Sequence, residues 1–178
     1  MTDITTKVFN NYKFSLKNYE QNHQSNHWSY NNSKKQKLFV KDKLKDFRRN
    51  HLSEGMDDKF YTKKQAIKLF EKIKQECGKN FVYSMLLKKN LGNSKKSLKE
   101  KKYYYTAHEL FHIKFIHEIK KKIFLQKKDI ICEIGPAYGS MISKLIKLYK
   151  SKVILIDLPE ANFISYYYLK KKYPKKKF

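Results

Sequence analysis

Two apolar runs of strand length, Ile130-Ile131-Cys132-Glu133-Ile134 and Val153-Ile154-Leu155-Ile156-Asp157, constrain this chain more than any other feature. Both are too short for a buried helix and too continuous for a strand with one face in water. Between them Met141, Ile142, Leu145, Ile146 and Leu148 recur at helical spacing. A helix joining two neighbouring strands is a crossover, and a crossover makes those strands parallel. The first strand runs straight into Gly135-Pro136-Ala137-Tyr138-Gly139. Pro159 suits the first turn of another helix, which carries Phe163, Ile164, Tyr167 and Leu169. Strand, glycine turn, helix, strand, helix opens a doubly wound parallel sheet, so the expected class is α/β. Parallel strands are normally covered on both faces, and Cys132 inside such a run is expected to be a small buried hydrophobe.

The rest of the chain reads as helical. Residues 1–36 are polar, with helical periodicity only in short pieces, while Leu38, Phe39, Leu44 and Phe47 fall at roughly helical spacing. Gly55 between Ser53 and Asp57 signals a turn. Thr62 followed by Gln65 is a capping-box pattern for a helix whose apolar face is Ala66, Ile67, Leu69, Phe70 and Ile73, ending at Gly78. A short apolar stretch, Phe81 to Leu87, leads into a loop around Gly92. Residues 106–124 read as a longer amphipathic helix whose apolar residues are Leu110, Phe111, Ile113, Phe115, Ile116, Ile119 and Ile123.

Composition adds exclusions. Lysine and arginine total 41 against 16 acids, for a net charge of +25, yet only Arg48 and Arg49 are arginine. Recognition of nucleic acid draws on arginine for bidentate contacts, so no specific nucleic-acid partner is expected. Lys, Asn, Ile, Tyr and Phe share AT-rich codons, which explains the charge more simply than a polyanion does. Cys77 and Cys132 lack the spacing of a disulfide framework or zinc knuckle. No leader of signal-peptide type and no transmembrane segment is legible, so a cytoplasmic protein is expected.

The chemistry is expected at the glycine turn. A tight turn between a parallel strand and a helix lets a ligand approach bare backbone and meet helix N–H groups. Asp157, 22 residues after Gly135, is placed to accept hydrogen bonds from ribose hydroxyls. A dinucleotide fingerprint needs GxGxxG, but the middle glycine here is Ala137 and the last comes one place early. Glu133, two residues before the first glycine, would repel a pyrophosphate and attract the cationic amino-acid part of S-adenosylmethionine. The pattern resembles motif I of class I S-adenosylmethionine-dependent methyltransferases, with Asp157 as the ribose acid. The rival reading makes Glu133 a buried paired carboxylate and Asp157 a cap for the next helix.

A narrower likeness is carried by CEIGPAYGS (132–140) and VILIDLPEANFISYYYLKKKYP (153–174), and upstream by SNHW (25–28), FRRNHLSEGMDDKFY (47–61) and LGN (91–93). These segments resemble the sugar O-methyltransferases of bacterial polysaccharide gene clusters. The resemblance runs from about residue 19 onward. It implies a mainly helical accessory region over 1–105 and a partial Rossmann-like, S-adenosylmethionine-binding domain over 106–178. It implies cofactor contacts at Glu133, Gly135, Ala137, Gly139 and Asp157, with Pro136, Tyr138 and Leu158 as neighbours, and a saccharide acceptor. Asp57 and Asp58 are substrate-facing candidates by the same likeness, or a solvated turn. The family's sheet has several strands beyond the two found here, and only 44 residues run from Gly135 to Phe178. A truncated or split enzyme is therefore expected, completed by a missing C-terminal part or a partner chain, with its catalytic residues unidentified.

Rival constellations remain. His108-Glu109-Leu110-Phe111-His112 matches HExxH, the helical zinc-peptidase pattern, but no third ligand stands at a usual spacing, so no metal is expected. His108, His112 and His117 are titratable candidates for a base. The six lysines between 170 and 177 fit a solvated helix end better than a phosphate site. The alternative function is a non-catalytic basic fragment that binds polyanions or a partner. Tyr103–Tyr105 and Tyr166–Tyr168 are expected to pack rather than to stack on ligands.

Overall fold

Thr62 and Thr106 each begin a helix in the same local way. The threonine hydroxyl accepts the amide three residues on, and the Gln65 or Glu109 side chain returns to the threonine amide. Both boxes are sequence-local: the spacing announces the one at Thr62, and the structure adds the one at Thr106. In the computed structural model, which describes residues 4–17, 44–49 and 61–176, these helices belong to a mixed α and β architecture.

The element order is α1 (Ile4–Lys17), a 3-10 turn (Leu44–Asp46), α2 (Lys63–Cys77), α3 (Lys79–Met85), β1 (Leu98–Glu100), β2 (Tyr103–Tyr105), α4 (Ala107–Lys122), β3 (Ile130–Ile134), α5 (Ser140–Tyr149), β4 (Lys152–Ile156) and α6 (Pro159–Lys172). Strands β1 and β2 form an antiparallel hairpin, with Leu98 opposite Tyr105. Strands β3 and β4 pair in parallel, in the register Ile130 to Lys152, Cys132 to Ile154 and Ile134 to Ile156.

The core has two centres. One gathers Val8 and Tyr12 of α1, Leu44 and Phe47, Ile116, and the apolar residues of α5 and α6. The other joins α2, α3, Tyr105 and the first half of α4 around Phe70, Ile73, Leu110 and Ile113. Among the described side chains of α1, two positions one turn apart are buried, Val8 and Tyr12, so its periodicity is too sparse to announce a helix of 14 residues. The hairpin is equally quiet in the sequence: its turn, Lys101-Lys102, carries no glycine or asparagine, and Lys101 itself takes φ 55°.

The parallel sheet departs from expectation. Ile131, Val153 and Leu155 face the helices and join the first core centre. Ile130, Cys132, Ile134, Ile154 and Ile156 lie on the opposite face and are exposed, Ile134 by 80%. Cys132 is thus a surface thiol, not a buried hydrophobe. Its strand alternates between a covered and an open face, because α5 and α6 both pack on one side. Among the described residues, no helix is long and apolar enough to cross a membrane.

Candidate functional site

At the C-terminal end of β3 the backbone enters the left-handed region at Gly135 (φ 71°), Ala137 (φ 56°) and Gly139 (φ 82°). The Gly135 amide donates to the Ile156 carbonyl at 2.8 Å, so the parallel ladder runs one residue past the strands. That pairing carries Asp157 to the turn. Its Oδ2 accepts the Ala137 amide at 3.2 Å, and its Oδ1 accepts the Leu158 amide at 2.8 Å. Asp157 therefore clamps the turn to the second strand, and its carbonyl accepts from Asn162 Nδ2 in the first turn of α6.

The turn has an open side and a packed side. A Cβ on Gly135 would meet nothing within 4 Å, whereas one on Gly139 would touch Ser165 at 3.4 Å and Leu169 at 3.6 Å of α6. Tyr138 and Pro136 are buried. The Tyr138 ring packs on Phe47 and, edge-on, on Tyr168, with the Arg48 guanidinium 5.0 Å from its centre. Of the expected cofactor neighbours, Tyr138 is thus an anchor turned into the core, and Leu158 is half-buried. Glu133, Gly135, Ala137, Gly139 and Asp157 come together around one turn.

Glu133 is the chemically unusual member. Burial drives its carboxyl up to about 7 from an ordinary 4.5, and the nearby Asp157 charge pushes the same way. The Ile142 amide and the Lys144 ammonium oppose that rise. Its Oε2 is buried and has no hydrogen-bond partner among the described residues. Lys144 is fully buried on α5, donating to the Ser140 hydroxyl at 2.8 Å, and burial lowers it to about 8. Sequence reasoning missed Lys144 and Arg48. One signal was available for Arg48: it is one of two arginines in a chain of lysines.

The HExxH segment is built for packing. Glu109 is 2% exposed; its Oε2 accepts the Thr106 amide at 3.1 Å, and its Oε1 lies 3.5 Å from Arg48 Nη1. A carboxylate held by a capping box and an ion pair is not poised to activate water. The His108 and His112 rings meet at 4.2 Å. Burial, with Lys144 and His108 beside it, pushes His112 down to about 2, so it is neutral throughout the physiological range. His117 lies further along α4 against Phe81, 3.6 Å from Glu118. Among the described residues no group of three His, Cys, Asp or Glu side chains converges as a metal site.

The C-terminal lysines are not simply solvated. Lys172 donates to the Ser143 hydroxyl at 2.9 Å and is held well below its ordinary value by burial. Lys170 and Lys176 reach the carbonyls of Lys176 and Ser151. The Lys172 bond docks the end of α6 onto α5, and the Lys176 bond ties the residues after α6 to Ser151, just before β4. Asp57 and Asp58, the SNHW segment and residues 50–60 lie outside the described residues. Comparison with known proteins returns no matching family, no matching curated protein and no matching solved structure.

Proposed function

We propose that the chain binds S-adenosylmethionine at the Gly135–Gly139 turn of a Rossmann-like sheet and serves methyl transfer to a sugar hydroxyl. The observation that carries this reading is the pairing of Glu133 and Asp157 across one glycine turn whose outer side is open. The open Cβ position at Gly135 leaves room for a ligand to lie against backbone. The buried, unpartnered oxygen of Glu133 suits a cationic amino group, which would hold that carboxyl ionised. Asp157 spends one lone pair of each oxygen on turn amides and keeps acceptor capacity for a ribose diol. The helix α5 starts at the turn and adds its positive end.

When bound, the cofactor supplies an electrophilic methyl group. The chain's own residues would fix its position, which is the larger part of such catalysis. The saccharide acceptor and its polysaccharide context come from the sequence likeness alone. The test is thermal: ligand at one hundred times Kd stabilises by about 2.7 kcal/mol, a rise of several degrees in Tm. Asp157→Ala should erase that rise. An unliganded-like melt of the wild-type chain at millimolar S-adenosylmethionine would sink the reading.

A further inference from the structure

A cavity of about 510 Å³ opens where the 3-10 turn, the loop after α3, β2 and the end of α6 meet. That volume suits a small molecule carrying a ring rather than a bare ion. Three separate stretches of chain bring cations to it: Lys45, Lys88 with Lys89, and Lys171. All four lysines are exposed at its rim, and no acidic side chain is among the described residues that line it. The acid next in sequence, Asp46, is held by the Asn93 side-chain amide. Tyr104 and Tyr167 are among the wall residues, and the Lys171 ammonium lies 5.5 Å from the centre of the Tyr167 ring.

The frame behind these lysines is built rather than loose. The Leu87 and Tyr104 backbones exchange hydrogen bonds at 3.3 and 2.8 Å, pinning the start of the loop to β2. The Arg48 amide donates to the Gly92 carbonyl at 2.9 Å. A Cβ at Gly92 would lie 2.6 Å from the Phe47 ring and 2.8 Å from Arg48 Cγ, so only glycine lets the loop lie this flat. The LGN segment thereby sets the distance between Lys88–Lys89 and Lys45. Phe47 and Tyr168, which line the cavity, also pack on Tyr138 of the cofactor turn.

We propose that this cleft binds a phosphate or pyrophosphate joined to a ring, as in a sugar phosphate or a nucleotide-linked sugar. Four lysines lining one cleft, with no acid among the described lining residues, set up a positive field for such a group, and lysine binds phosphate as a point charge. The adjoining tyrosines offer a face and a hydroxyl to the ring. The inference goes beyond the cofactor reading and is tested without S-adenosylmethionine, so either can fail alone.

Isothermal titration at low salt with sodium pyrophosphate, glucose 1-phosphate and UDP-glucose provides the test. Saturable binding of one ligand per chain is expected for at least one of the two ring-bearing probes, tighter than pyrophosphate. The one bound more tightly identifies the source as a sugar phosphate or a nucleotide-linked sugar. Lys88→Glu with Lys171→Glu should weaken that binding by about tenfold or more. The control is Lys64→Glu with Lys68→Glu, an equal charge change at exposed positions on α2, which should shift it less than about twofold. Equal losses in both variants would mark a general polycation surface, and overturn the proposal. So would binding of heparin with no saturable binding of the ring-bearing probes. Circular dichroism of each variant confirms folding.

Discussion

Glu133 gives the residue scale its clearest measurable consequence. Its carboxyl is raised to about 7 in the folded chain, above its ordinary 4.5. Stability is therefore undiminished below pH 4.5, falls as pH rises toward 7, and is level above that. Glu133→Gln removes this loss. The variant should match wild type near pH 4.5 and exceed it by the order of 1–3 kcal/mol at pH 8 in urea denaturation. Identical stability gaps at both pH values would contradict the assignment. On the proposed cofactor reading the same substitution should also weaken S-adenosylmethionine binding, because the neutral amide cannot pair with a cation. His112 works in the opposite sense. Its imidazole, depressed to about 2 from 6.5, contributes stability that is present above pH 6.5 and is lost as pH falls below it. The two groups oppose each other between pH 4.5 and 6.5, so differences between variants are more telling than the wild-type profile.

At the scale of elements, the two capping boxes show how one motif acquires different weight. Thr62 is exposed at the start of α2, and its box is bathed in water. Thr106 is fully buried at the start of α4, and its hydroxyl also stands 3.5 Å from Arg48 Nη2. Thr62→Ala should cost about 0.5–1 kcal/mol. Thr106→Ala should cost about 2 kcal/mol or more, since it also leaves buried polar groups short of a partner. Equal losses in chemical denaturation would mean that Arg48 and Glu109 readjust freely. The Thr62 box was legible from spacing, as were β3, β4 and the helices that follow them, because each is specified by residues a few positions apart; the Thr106 box, of the same spacing, emerged only with the structure. The β1–β2 hairpin was not legible: its turn is two lysines, and its stability comes from Tyr105 stacking on Phe70 at 4.4 Å, 35 residues away in the chain.

At the scale of the whole molecule, the open face of the parallel sheet stands out. Ile130, Cys132, Ile134, Ile154 and Ile156 form a contiguous apolar row on two strands, ringed by a chain of net charge +25. Such a row is a hazard for self-association, held in check by like-charge repulsion. Ile134→Lys should leave the melting temperature nearly unchanged, because the side chain is already 80% exposed, while reducing light scattering at high salt. A marked loss of stability would show instead that this side chain is covered in solution.

The local grammar of this protein was in its sequence: two strands, the crossover helix, the turn at Gly135–Gly139 and the acid at 157. These depend on near neighbours, and near neighbours are visible in one dimension. Tertiary structure decided which face of those strands is covered, because that depends on where α5 and α6 pack rather than on the strands' composition. It also decided that Tyr138 turns inward and that Glu109 is held by Arg48. It brought Lys45, Lys88, Lys89 and Lys171 around one cavity. Each of these joins residues tens of positions apart, and only burial in a common core holds such partners at contact distance.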